Sequence, residues 1–328
     1  MMSTTPVATA PDFADIVTAA NRLSGHVHRT AVHASRSFND LVGAEVFFKC
    51  ENLQRAGSFK VRGAMNAVFS LDESTARRGI ITHSSGNHAA AVALAARERG
   101  VPAHIVVSNN APRAKIEAVR RYGGQLTLSE PTLAAREETA RRLLDSTGGT
   151  FIHPFDDPRV IAGQGTATFE LLDQVADIDV VLAPVSGGGL LSGTAIAAHG
   201  VSSAITVYGC EPALADDAAR SFASGKLEKN VSQATIADGL RASLSERTFG
   251  ILRQHVNGIV TVSEEEIIHA MRLFWELFKL IIEPSCAVPV AALLAGRVDV
   301  VGRRVGVIIT GGNVDLDALP WQKPLSTH

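Results

Sequence analysis

The sequence predicts an α/β fold of mostly parallel sheets covered by helices, and three observations predict it. Short β-branched runs alternate with longer, alanine-rich amphipathic stretches along most of the 328 residues, the order that builds parallel sheet from strand–helix–strand units. The strand-like runs are apolar almost throughout, as in sheets buried on both faces. Two of them end directly in a small-residue loop that opens a helix, which is where α/β proteins place their ligands.

Taken in order, the strand-like runs are 45–49 ("EVFFK"), 79–82 ("GIIT"), 104–107 ("HIVV"), 179–185 ("DVVLAPV"), 205–210 ("ITVYGC") and 305–310 ("VGVIIT"). The helix-like runs are 87–99, 112–122, 133–146 and 165–175. A further helix starts at the Ser263/Glu266 capping box, ahead of "IIHAMRLFWELFKLII". Trp275 and Phe278 sit at helical spacing within it and read as core. The turn-rich stretches "SLDESTARRG" and "DSTGGTFIHPFDDP" read as crossings between two lobes. The expected division is 1–78 with 153–328 in a large domain and 79–152 in a small one. No heptad array, repeat period or low-complexity linker interrupts the chain.

Composition narrows the classes of function. With 46% hydrophobic and 20% charged residues, the chain can bury a sizeable core. Its 31 basic and 33 acidic residues leave a net charge of −2, which argues against nucleic acid or an anionic membrane as main partner. No apolar run reaches membrane-spanning length. The start, "MMSTTPVATAPDF", lacks the basic region and apolar core of a secretory signal. Both that segment and the closing "PWQKPLSTH" are expected to be loosely held. Cys50, Cys210 and Cys286 are scattered and form no Cys-x-x-Cys pair, which fits a reducing, cytoplasmic setting. The 11 histidines include no His-Glu-x-x-His.

Lys60 stands in "GSFKVRGAMNAV", ahead of an apolar stretch. A lysine desolvated there loses basicity, and its neutral amine becomes a nucleophile able to form a Schiff base. A snorkelling lysine with its ammonium in water is the plain alternative. In "IDVVLAPVSGGGLLSGTAIAAHG" a strand ends at Val185, and Ser186, Gly187, Gly188 and Gly189 lead into a helix. Successive glycines expose backbone amides to an anion, and the helix N-terminus adds its dipole. Thr194 after Gly193 breaks the P-loop pattern, and Ser192 breaks Gly-x-Gly-x-x-Gly. A mononucleotide or a phosphorylated cofactor remains, with an empty strand-to-helix turn as alternative. "GIITHSSGNHAAAVALAARERG" repeats the layout. There Ser84, Ser85, Asn87 and His88 exceed what one helix cap needs and suit the carboxylate of a small substrate.

Gly-Ser-Phe-Lys (57–60), Ser-Ser-Gly-Asn-His (84–88), Ser-Gly-Gly-Gly-Leu (186–190) and Thr-Gly-Gly-Asn (310–313) occur in one order. The chain thereby resembles the fold-type-II pyridoxal-phosphate enzymes, the serine/threonine dehydratases and serine racemases. Connecting segments "HPFDDPRVIAGQGT", "ADGLRASL" and "IEPSCAV" match too, so the likeness runs from about Phe13 to Leu316. It implies a two-lobed fold like that of the tryptophan synthase β chain, the large domain binding the cofactor.

The resemblance also implies roles. Lys60 carries pyridoxal phosphate as a Schiff base, Phe59 lies against the ring, and Asn87 bonds its phenolic oxygen. The amides from Ser186 through Gly187, Gly188 and Gly189 to Leu190 hold the phosphate. Thr310 contacts the pyridine nitrogen, and Gly239 and Glu283 border the ring. Thr310 stands where relatives often have serine, and Ser186 where many have a fourth glycine; the amide contact survives if serine can adopt the local backbone. Ser84, Ser85, Asn87, His88 and Arg136 meet the substrate. Lys60 is the general base, and Ser85, on the opposite ring face, can deliver a proton. In "GCEPALADDAARSF", Glu211, Ala215 and Asp217 match the Mg²⁺ or Ca²⁺ ligands of metal-assisted relatives, while an acidic helix start is the alternative.

The implied reaction is catabolic β-elimination of L-threonine or L-serine to a 2-oxo acid and ammonia. An end soon after "TGGNVDLDALP" leaves no room for a regulatory domain. A dehydratase of another β-hydroxy amino acid, such as 3-hydroxyaspartate, with Arg136 or Arg241 meeting its second carboxylate, and a serine racemase are the alternatives. A homo-oligomer, in the form of a dimer, is expected.

Overall fold

The computed structural model describes residues 10–84, 86–111 and 113–322. The chain enters through α1 (Phe13–Leu23), opened by a capping box in which Asp12 and Asp15 bond each other's backbone N–H. β1 (Val32–His33), α2 (Arg36–Val42) and β2 (Glu45–Cys50) follow, then α3 (Lys60–Phe69) and α4 (Glu73–Arg77). The next stretch alternates strand and helix: β3 (Ile80–His83), α5 (Asn87–Arg99), β4 (Ala103–Ser108), α6 (Arg113–Arg121), β5 (Gln125–Ser129), α7 (Leu133–Thr147) and β6 (Thr150–Phe151). It continues with α8 (Pro158–Gln174), β7 (Val180–Pro184), α9 (Gly189–Val201), β8 (Thr206–Pro212), α10 (Asp217–Ser224), α11 (Glu246–His255) and β9 (Gly258–Val262). The last elements are α12 (Glu264–Phe278), α13 (Pro284–Leu294) and β10 (Arg304–Ile309).

Two sheets result, ordered β1-β2-β10-β7-β8-β9 and β5-β4-β3-β6. Every pairing is parallel except β1 with β2. This is the predicted α/β class. Among the described residues no helix is long and apolar enough to cross a membrane.

Several elements depart from expectation. β1 and β6 are two residues long, too short to carry a pattern. β5 and β9 are edge strands with mixed, half-exposed sequences. "SLDESTARRG" holds a helical turn, α4, capped by Asp72. α8 starts at Pro158 rather than 165, with Asp157 as cap and proline at the first position, where its missing N–H costs nothing. The Ser263/Glu266 capping box is formed as read.

α3 explains the setting of Lys60. Every residue from Val61 to Val68 is buried, because α5 and α8 both pack on this helix. A Cβ on Gly163 of α8 would stand 2.6 Å from the Cα of Gly63, so the two backbones cross with no room for side chains. The charge in this helix is neutralised internally. Arg62 bonds both oxygens of Glu51, at 2.7 and 2.8 Å, and both oxygens of Glu170, each at 2.8 Å. Lys49 joins from β2, bonding Glu170 at 2.8 Å and Gln174 at 2.7 Å. Lys49, Glu51 and Arg62 are wholly buried, so the network stands only because each charge has a partner.

Candidate active site

Lys60 is the first residue of α3, and its approach is pinned by the segment after β10. Phe59 N–H donates to the Thr310 carbonyl at 2.9 Å, and Gly312 N–H to the Gly57 carbonyl at 3.0 Å. The Lys60 amine donates to the Pro154 carbonyl at 2.9 Å. Although the side chain keeps some accessible surface, protein closes around the amine. Desolvation brings its pKa down to about 8, against the upward pull of the Glu283 carboxylate. The amine is thus turned to a backbone carbonyl and away from bulk water, unlike a snorkelling lysine. Phe59 is buried beside it, the amine 5.1 Å from its ring centre.

The glycine loop joins β7 to α9. Gly188 has φ +82 and caps the helix; its own N–H is engaged by the Val185 carbonyl at 3.1 Å. The first-turn amides of α9, at Gly189 and Leu190, have no intrahelical carbonyl to meet. Phe155 presses on the loop: a Cβ at Gly187 would stand 2.4 Å from its ring. Ser186 has φ +55, the left-handed region that favours glycine. The exchange of glycine for serine therefore carries backbone strain, and the Ser186 hydroxyl accepts from Ala242 N–H at 3.4 Å.

The N-terminus of α5, beside the smaller sheet, meets the start of α13. Asn87 Nδ2 donates to both oxygens of Glu283, at 3.0 and 3.2 Å, and Asn87 Oδ1 accepts from Asn313 at 2.9 Å. Glu283 is the N-cap residue of α13. Ser84 Oγ accepts from Gly86 N–H at 3.3 Å. His88 is buried, its Nε2 bonding the Ile152 carbonyl at 3.2 Å while Nδ1 has no partner. Burial, with Lys60 nearby, holds the His88 pKa well below that of a free imidazole. Thr310 is buried and its side chain reaches the Cys286 sulfur. Gly239 N–H donates to the Ser285 hydroxyl at 3.0 Å. Ser85 lies outside the described residues.

Arg136, on α7, is half-buried and forms no ion pair among the described residues. It acts on His83, whose pKa is lowered by burial first and by this guanidinium second. His83 and His153 border a cavity of about 180 Å³. Arg241 is exposed and donates to the Thr235 carbonyl at 2.7 Å.

Glu211, Ala215 and Asp217 are buried together at the end of β8 and the start of α10. Glu211 Oε1 and Asp217 Oδ2 have no hydrogen-bond partner, and burial raises both carboxyls above the usual range. Among the described residues no three His, Cys, Asp or Glu side chains form a metal cage.

Sequence reading did not single out Pro154, Phe155, Thr82 or Arg62. The first two lie in "HPFDDP", and their roles come from backbone and packing, which leave no residue-type signal. Arg62 could have been found: a charged residue inside "KVRGAMNAV" demands a buried partner.

A phosphorylated aldehyde cofactor fits these groups. The amine has lost basicity, the helix-start amides face the loop, and a side chain at Gly187 would collide with Phe155. The chain matches the family described as pyridoxal-phosphate dependent enzyme over residues 23–311. It is 48% identical to the β-hydroxyaspartate dehydratase of Paracoccus denitrificans, over 95% of this chain and 99% of that one. It is 47% identical to the serine racemase of Arabidopsis thaliana, over 94% and 95%. The solved structure of maize serine racemase superposes with a TM-score of 0.92 at 45% identity, covering 94% of this chain and 95% of that one. The chain belongs to the fold-type-II pyridoxal-phosphate enzymes, in the serine/threonine dehydratase and serine racemase family, with pyridoxal phosphate as its cofactor.

Proposed function

We propose that this enzyme eliminates water from a β-hydroxy amino acid bearing a second carboxylate, 3-hydroxyaspartate being the simplest, and releases a 2-oxo acid and ammonia. The carrying observation is Arg136: a half-buried guanidinium without an ion-pair partner among the described residues, close enough to His83 to lower its pKa. An unpaired guanidinium beside a site favours a carboxylate ligand. The similarity to β-hydroxyaspartate dehydratase supports the same substrate class over threonine.

In this reading Lys60 holds the cofactor and, when freed, is the base that takes the α-proton; its lowered pKa leaves much of it neutral near pH 8. Bound pyridoxal phosphate supplies an electron sink for the pair left on the α-carbon. The amides from Ser186 to Leu190 hold the phosphate, excepting that of Gly188, and Phe59 flanks the ring. Glu283 orients Asn87 toward it, Gly239 lines it, and Thr310 offers an uncharged side chain to the pyridine nitrogen. Ser84, Asn87 and the α5 amides near His88 hold the α-carboxylate, and Arg136 the distal one. A Mg²⁺ or Ca²⁺ ion between Glu211 and Asp217, completed by the Ala215 carbonyl, would satisfy the two orphaned oxygens. Serine racemisation is the second reading, supported by the similarity to serine racemases; it requires Ser85 as the opposite-face acid.

The test is a substrate panel of 3-hydroxyaspartate isomers, L-serine and L-threonine, assayed for 2-oxo acid, ammonia and serine enantiomer. The highest kcat/KM should belong to a 3-hydroxyaspartate, and Arg136→Gln should raise its KM at least about ten-fold while sparing serine. A higher kcat/KM for serine or threonine overturns the reading.

A further inference from the structure

Residues 152–156 ("IHPFD") touch each part of the site. Ile152 is tied to β3 through its N–H, which donates to the Ile81 carbonyl at 2.8 Å. The Ile152 carbonyl accepts from two sides: the Thr82 hydroxyl at 2.8 Å and His88 Nε2 at 3.2 Å. His153 Nδ1 accepts the N–H groups of Phe155 and Asp156, at 3.3 and 2.9 Å, which fixes its proton on Nε2. Pro154 offers its carbonyl to Lys60. Phe155 packs on Gly187. Asp156 is gripped by Arg247 of α11, through its carbonyl at 2.7 Å and Oδ1 at 2.6 Å.

We propose that this segment is a positioning strap for the free amine of Lys60. The Pro154 carbonyl receives the amine whenever it is not bonded to cofactor, and Thr82 and His88 aim that carbonyl by clamping Ile152 two residues before it. Pro154 has no N–H and a fixed φ, so the direction of its carbonyl is set by its neighbours' hydrogen bonds. A general base helps only when it points at the proton it removes. An amine on a flexible four-carbon stem needs an acceptor to hold it between captures. His88 and Thr82 belong to the substrate side and Phe155 to the phosphate side. The strap thus registers the base against both.

The inference rests on Lys60 as the cofactor-bearing base and not on the identity of the substrate. The groups facing the amine are Glu283, His88 and His153; none is altered in the decisive variant, Thr82→Val, which exchanges one hydroxyl for a methyl group. Apoenzyme mixed with pyridoxal phosphate is followed by the visible absorbance of covalent capture, in which the amine condenses with the aldehyde and water leaves. Thr82→Val should slow capture about five-fold. It should also lower kcat with KM unchanged, and enlarge the kinetic isotope effect of α-deuterated substrate. His88→Leu should slow capture likewise. Parental capture rate and isotope effect in Thr82→Val, with its melting temperature unchanged, overturn the proposal, whether or not His88→Leu folds. Failure of the substrate reading would alter the panel result and leave capture rates as stated.

Discussion

Arg62 grips Glu51 through two hydrogen bonds, 2.7 and 2.8 Å long, with neither side chain exposed. The pair ties the first turn of α3, and with it Lys60, to the end of β2. Removing one member leaves a buried charge alone, a loss of about 3–5 kcal/mol. Arg62→Met should therefore lower the unfolding free energy by about that amount in urea melts. Replacing Glu51 by Gln in the same chain, with Glu170 kept as the partner of Lys49, should recover part of it. A loss below about 1 kcal/mol would mean that the clamp is dispensable.

Gly187 and Phe155 are matched so closely that a methyl group has no place between them. Gly187→Ala should raise the dissociation constant for pyridoxal phosphate at least about ten-fold, or about 1.4 kcal/mol, with little change in secondary structure. Phe155→Leu added to it should restore part of the affinity. Equal affinity in Gly187→Ala would show that the loop is not shaped by this contact.

Lys60 titrates at about 8, below an ordinary lysine. Its neutral form is the reactive one, so capture of the cofactor by apoenzyme should accelerate as pH rises through about 8 and level off within about two pH units. Glu283 favours the ammonium, so Glu283→Gln should move the midpoint to lower pH. A rate still climbing above pH 10 would show a solvated lysine.

Glu211 and Asp217 each bury an oxygen without a partner. Glu211→Gln should raise the melting temperature of the metal-free protein at neutral pH, because a carboxyl whose pKa burial raises costs stability at pH above its unfolded value. Mg²⁺ or Ca²⁺ should raise the melting temperature in the parent and not in the variant. An identical cation response in parent and variant, read by thermal shift, would place any ion elsewhere.

Much of this arrangement was legible because strand, loop and helix each carry local signals. The runs that became β7 and α9 bracket Ser186–Gly189, and "GSFK" and "SSGNH" mark the other two corners. What stayed hidden depends on distant pairing. Nothing local announces that Asn87 is held by Glu283, or that the Pro154 carbonyl meets Lys60. Nor does the letter S at 186 reveal a left-handed backbone. β9 and β5 escaped because an edge strand need be apolar on neither face.

The larger sheet is closed by β10, which enters between β2 and β7. Its continuation, Thr310–Gly312, supplies the backbone bonds that hold Gly57 and Phe59. On a ribosome, the smaller sheet, strands 80–151, can assemble while synthesis continues. The nest around Lys60 must wait until residues 304–312 have emerged. Nascent chains halted before that point should be unable to acquire the cofactor, so vitamin loading reports that β10 has joined the larger sheet.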